Sequence, residues 1–287
     1  MQYNKERLWE KGRTAMRISG SSRKDGMTLY SDQYAVILTY DKKLGEYSYG
    51  LRSMNEDTKA GEKIKNIPVF RGLYALWRNP GIKAAAAVSA AGAAGEILVQ
   101  RAPEHKGIRR LGRILSFAEY GLMGLFLYKI FGTGGDVRKF HGAEHKVINA
   151  FTLTEKKITE QEAARASRIS RRCGTNYLVY VTAANLTVGL LPLGHGIFQQ
   201  LITMGAAYEG FRMPAEKCPA VKSTMDLFGD ALQRKVMTRE PDKGQLQAAR
   251  RALNILIAAE KGELPEEERQ QYLANARERS WLDRLVG

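Results

Sequence analysis

The sequence predicts a mainly α-helical fold: a membrane-associated helical core, preceded by a small N-terminal β-hairpin and followed by a helical C-terminal region. Three observations carry this expectation. Charged residues crowd the first 80 positions, the 155–172 region and the C-terminal third, whereas three stretches between about 84 and 211 are nearly charge-free. A short segment near the N-terminus is β-branched and alternating. The last third repeats its apolar residues at the helical period. The divisions that follow are 1–66 for the N-terminal region, 67–213 for the core and 214–287 for the C-terminal region.

Residues 34–41 (YAVILTYD) are β-branched and aromatic, KKLG supplies a turn, and EYSYGLRS alternates polar with apolar, so a hairpin is expected there. Residues 55–66 are polar and read as a loop. From Ile67 the chain turns apolar, with Arg71 and Arg78 two helical turns apart. That spacing fits a helix lying along an interface, with Tyr74 and Trp77 at headgroup depth, and equally an amphipathic core helix. Residues 84–99 are rich in Ala and Gly, which favour close helix packing over insertion. Residues 114–131 are far more apolar and near the minimum length of a span, with Glu119 costly in the middle. Residues 177–193 carry no charge, Pro192, Gly194 and Gly196 break the run, and 197–208 form a shorter apolar segment. Together these suggest a helical hairpin that enters and returns.

Further on, 226–237 read as helical. Asp242 followed by Gln245 three residues later is a capping-box pattern. Leu246, Ala249, Leu253, Leu256, Ile257 and Glu260 then recur at a 3.6 period. The charged tail from 262 reads as a solvated helix.

The formal net charge is +15, from 45 Lys and Arg against 30 Asp and Glu. Such an excess attracts polyanions, and anionic membrane lipid is the first expectation. Nucleic acid ranks lower, because no basic run is interleaved with aromatics and no zinc-finger or RNA-recognition signature occurs. Two dissimilar, distant cysteines, Cys173 and Cys218, argue against a disulfide framework and for a reducing compartment. The N-terminus has no apolar stretch of signal-peptide type.

The chemistry concentrates between Asp136 and Phe151, in D-V-R-K-F-H-G-A-E-H-K-V-I-N-A-F. Asp136 can cap a helix whose apolar face carries Val137, Phe140, Val147, Ile148 and Phe151. His141 and His145, one turn apart, project side by side and can share one metal ion, with Glu144 beside them. This is the H-x-x-E-H pattern. Two neutral imidazoles bind a divalent ion, zinc being the first choice, and the ion acidifies a bound water that a neighbouring carboxylate deprotonates. Iron and manganese suit the same donors.

Two histidines need a third ligand. Glu209, at the end of the 197–208 segment, is the expected one, with Cys173 in R-R-C-G-T as the alternative. Arg172, Arg239 and Glu240 can support the site from behind or bind a substrate carboxylate.

F-H-G-A-E-H-K, then R-C-G-T, Y-E and T-R-E-P-D before an amphipathic helix, together with P-V-F-R-G at 68–72, resemble the YqhQ-like family over about 67–258. The resemblance implies a bacterial integral membrane protein, expected to be metal-dependent, with His141, Glu144 and His145 matching the family's most recognisable motif. It supplies no substrate. The chain departs from the family where G-R-T-A-M-R-I-S-G-S-S-R-K-D-G-M replaces a Gly-rich segment containing a Glu. It departs again where Ser170 and Arg171 replace His and Pro before R-C-G-T.

The expected function is a metal-dependent hydrolase, peptidase-like, at the boundary of the bacterial cell membrane with its soluble parts in the cytoplasm. Glu144 is the expected catalytic residue. The alternative is a non-catalytic basic membrane scaffold with a structural metal or none.

Overall fold

A computed structural model describes residues 16–54, 136–189 and 197–286, with isolated positions between 67 and 114. The chain divides into two compact units. The first comprises Met1–Glu56, Thr133–Ser170 and Leu232–Gly287, and the second Asp57–Gly132 and Arg171–Ala231.

Four strands, β1 (Ser19–Arg23), β2 (Gly26–Tyr30), β3 (Tyr34–Asp41) and β4 (Glu46–Ser53), form one antiparallel sheet in chain order. The described helices are α1 (Asp136–Thr154), α2 (Glu160–Arg165), α3 (Gly174–Gly189), α4 (Ile197–Arg212), α5 (Pro219–Leu232), α6 (Lys243–Glu260) and α7 (Glu266–Val286). A π turn, Gln233–Met237, follows α5.

In the first unit the register aligns two rows across the sheet, Ser22–Met27–Leu38–Tyr49 and Gly20–Leu29–Val36–Leu51. Side chains alternate along a strand, so both rows face the same way. Met27, Leu29, Val36, Leu38 and Leu51 are completely buried. Such burial is worth roughly 1.5–3 kcal/mol for each large apolar side chain. Against this face α1 covers β1 and β2, α6 covers β3, and the two helices pack on each other. The α6 residues Ala249, Leu253, Leu256 and Ile257 are the buried stripe. Gln245 Oε1 accepts from the Asp242 N–H at 3.0 Å at the helix start. A second capping box starts α2, where Thr159 and Glu162 bond each other's backbone N–H at 2.7 and 3.3 Å.

The β4 edge of the sheet is covered by α7, which runs along that strand. Gly50 admits it: a Cβ there would lie 3.1 Å from Ala276. Asn275 Nδ2 donates to the Tyr49 carbonyl at 3.0 Å, and Tyr272 meets the Tyr49 ring edge-on at 6.5 Å.

In the second unit α3 and α4 pack side by side. Tyr177 Oη donates to the Met204 carbonyl at 2.9 Å, and Tyr180 meets Phe211 edge-on at 5.9 Å. The Lys222 ammonium of α5 rests against both Tyr180 and Phe211, 5.3 and 5.5 Å from the ring centres.

Two sequence expectations are corrected. The N-terminal β element is a four-stranded sheet under helices, not an isolated hairpin, so the fold is α+β rather than mainly α. The membrane-spanning core is also overturned, because among the described residues no helix is long and apolar enough to cross a membrane. The helical pair is present, but α3 and α4 have 16 residues each. The segments 67–83, 84–99 and 114–131 lie outside the described residues except for Ile67, Pro68, Phe70, Tyr74 and Ile114. The tail is a helix largely exposed to solvent, as expected, but its Tyr272 and Ala276 are buried.

Candidate metal centre

The centre is built on α1, within the first unit. Successive residues on a helix turn by about 100°, so Glu144, His141 and His145 follow one another around the surface at roughly −60°, 0° and 40°. The imidazole rings stand 4.4 Å apart between centroids and are tilted by 63°. His145 and Glu144 are buried, and His141 is half-buried.

Each imidazole is held by a backbone carbonyl. His141 Nδ1 lies 3.0 Å from the Met237 oxygen, and His145 Nδ1 lies 2.8 Å from the Arg168 oxygen. A carbonyl only accepts, so Nδ1 carries the proton in both rings, and in the neutral imidazole the lone pair falls on Nε2. Metal-binding histidines are oriented in this way by a backbone or carboxylate acceptor. The Met237 carbonyl is available because it ends the π turn, where helical carbonyls lack backbone partners.

The Arg168 carbonyl sits in a stretch with no slack. Asn149 Nδ2, one turn beyond His145, donates to the carbonyls of Ser167 and Ile169 at 2.8 and 2.9 Å. The buried Gln233 amide closes a two-point bond on Ser170, accepting from its N–H at 2.9 Å and donating to its carbonyl at 3.0 Å. Four successive carbonyls, from Ser167 to Ser170, are therefore each held by a side chain.

Glu144 points towards the sheet. Ser22 Oγ donates to its Oε2, and the carboxyl rests on Gly20, where a Cβ would lie 2.6 Å from Cδ and Oε1. Gly20 and Ser22 occupy the inner positions of β1, where the other strands place large apolar side chains. Burial pushes the Glu144 carboxyl up from its ordinary range, while His141 and the Ser22 hydroxyl pull it partly back.

The opposite flank of α1 meets the T-R-E-P-D segment. Gly142 is required there, because a Cβ would fall 2.0 Å from the Arg239 carbonyl oxygen. The Arg239 N–H donates to the Arg138 carbonyl at 2.8 Å. Glu240 pairs with the buried Lys146 at 2.5 Å and with Arg168 at 3.5 Å. Arg168 also donates to Thr238 Oγ1 at 2.7 Å. Glu240 thus holds the residue whose carbonyl fixes His145, and Arg239 joins through its backbone.

His141, Glu144, His145, Arg239 and Glu240 are therefore gathered in the first unit. Arg172, Cys173 and Glu209 belong to the second. There Cys173 is buried, its carbonyl accepting from the Asn176 N–H at 3.0 Å, Arg172 is exposed in the turn before α3, and Glu209 is part of α4. Among the described residues of the first unit, no third His, Cys, Asp or Glu completes a ligand group with the two imidazoles. Sequence reasoning missed Gly20, Ser22, Gly142, Asn149, Arg168 and Gln233. The available signal was a pair of small residues two apart in a strand.

A sheet under two helices, with paired and oriented imidazoles on one of them, defines an α+β protein with a candidate metal centre. The chain belongs to the family described as Protein of unknown function (DUF1385), whose model matches residues 112–259. Among curated proteins, uncharacterized protein YqhQ of Bacillus subtilis (strain 168) is 28% identical over 134 residues, 43% of this chain and 41% of that one. The match thus spans about two fifths of that relative's length. No solved structure matches. All four strands precede the matched residues, so Gly20 and Ser22 lie outside the family region that contains Glu144.

Proposed function

We propose that this protein is a metal-dependent hydrolase in which His141 and His145 hold a divalent ion, zinc first, and Glu144 is the general base. The observation that carries the proposal is the pair of Nδ1–H bonds to the Met237 and Arg168 carbonyls, which directs two Nε2 lone pairs from neighbouring turns. Two imidazoles suit zinc and leave its other positions to further ligands and water.

A bound ion would supply an acidified water. Glu144, kept from solvent and raised in pKa by burial, accepts and returns a proton more readily near neutrality than an exposed carboxylate does. Ser22 holds one of its oxygens in place.

The test is metal analysis of protein reconstituted with zinc, for wild type, His141→Ala, His145→Ala and Glu144→Gln. About one zinc per chain is expected in wild type and Glu144→Gln, with loss in the other two. Hydrolysis of unfolded polypeptide should disappear in Glu144→Gln. Wild type that stays metal-free after reconstitution defeats the proposal. Metal retained without any Glu144-dependent turnover leaves the non-catalytic scaffold instead.

A further inference from the structure

The sheet has two outer strands, and they are treated differently. Along β4 runs α7, with its Asn275 amide bonded to a β4 carbonyl. On β1, α1 covers the face, and among the described residues no element lies along the outer side. The strand is Ser-Gly-Ser-Ser-Arg, and its one charge, Arg23, reaches across the neighbouring strands to Asp25, Thr28, Thr39 and the Leu38 carbonyl. Proteins normally protect such a strand with lysines, proline or a covering element.

The register states which backbone groups face outward. Arg23 and Gly26 flank a two-residue turn, so they form a pair that exchanges both hydrogen bonds. Bonded and non-bonded pairs alternate, so Arg23, Ser21 and Ser19 spend their N–H and C=O groups on β2. Gly20 and Ser22 direct theirs away from the sheet. These are the residues whose inner sides touch Glu144. Around α1 the order runs from the buried Phe140 and Val147, through Glu144 on β1, to His141, which by the same rotation falls past β1 on the side away from β2.

We infer that β1 receives an extended peptide as a fifth strand, paired to the backbone of Gly20 and Ser22, and that this peptide is the substrate of the metal centre. A strand added there lies about 4.8 Å outside β1. That is the side of the sheet on which His141 stands. Main-chain pairing supplies affinity without demanding a particular sequence, and the small side chains of β1 leave the approach clear. The substrate assignment rests on the hydrolase proposal; the pairing does not.

The test uses the full chain with fluorescein-labelled casein, an unfolded polypeptide, in the absence and presence of zinc. Without zinc, saturating casein should slow amide hydrogen exchange at Gly20 and Ser22 while leaving Ser21, already bonded to β2, unchanged. No slowing at saturation, or no binding, overturns the inference. Ser22→Ala removes only the hydroxyl, whereas Ser22→Pro also removes the outward N–H, which an outer strand tolerates. Casein should bind Ser22→Pro roughly 3- to 10-fold more weakly than Ser22→Ala, the worth of one hydrogen bond. Equal affinities count against the pairing, and the exchange measurement stands if the proline variant misfolds. With zinc, protection at β1 but no Glu144-dependent cleavage removes the hydrolase reading and keeps the docking strand. Glu144-dependent cleavage with unaltered exchange does the reverse.

Discussion

Replacing Gly142 with Ala reverses the sign of a familiar effect. In a helix interior Gly→Ala ordinarily stabilises by about 0.5–1 kcal/mol, because alanine has less backbone freedom to lose. At Gly142 the new methyl would fall 2.0 Å from the Arg239 carbonyl oxygen, a backbone atom that no rotamer change can move. The segment 238–242 must retreat by about 1 Å or more, against the bonds from Arg239 to Arg138 and from Glu240 to Lys146. Overpacking of this kind costs about 1–3 kcal/mol, so the net change is a loss of up to about 2.5 kcal/mol. Urea unfolding measures it, with Gly244→Ala as comparator, since a Cβ there meets Tyr47 at an ordinary 3.7 Å. Gly244→Ala should be neutral or slightly stabilising. The retreat also carries the Met237 carbonyl away from His141, so zinc affinity should fall in Gly142→Ala alone. A Gly142→Ala protein at least as stable as wild type refutes the account of how this segment seats on α1.

Gln233→Leu should cost about 2 kcal/mol or more in urea unfolding, because it strands the buried N–H and carbonyl of Ser170; a change under 0.5 kcal/mol speaks against the two-point bond. Asn149→Ala releases the Ser167 and Ile169 carbonyls, and limited proteolysis should then cut between 166 and 170 several-fold faster, with unchanged rates counting against the restraint. Thr159→Ala should cost about 1 kcal/mol through loss of the cap on α2. The Glu162 carboxyl is held below its ordinary range by the Thr159 backbone N–H and hydroxyl. A depressed acid stabilises fully above its unfolded value and less as pH falls through its folded one. The stability gap between wild type and Glu162→Gln should therefore be constant at neutral pH and close in acid, and a gap that widens on acidification contradicts the cap.

What the sequence disclosed follows from which residues advertise their surroundings. β3 and β4 were legible because YAVILTYD and EYSYGLRS alternate β-branched and aromatic residues. β1 was not, because SGSSR has no apolar signal. Its inner positions are small so that Glu144 can lie on them, which only the packed helix explains. The motif helix was legible through its period. Its other flank was not, because nothing in the sequence shows that the segment at 239–240 lies across Gly142 and Lys146. The Asp242–Gln245 cap is local and was found. The tail hid its few buried positions, Tyr272 and Ala276, among many charges. The apolar runs at 177–208 announced a helical pair, but hydropathy alone does not name the surface that such helices face.

The seat of α7 along β4 has a consequence for assembly. A sheet with both margins open can grow without limit, each new copy offering a fresh margin to the next. Among the described elements one margin is blocked and that of β1 is not, so edge-to-edge pairing through this sheet joins β1 to β1 and ends at two copies.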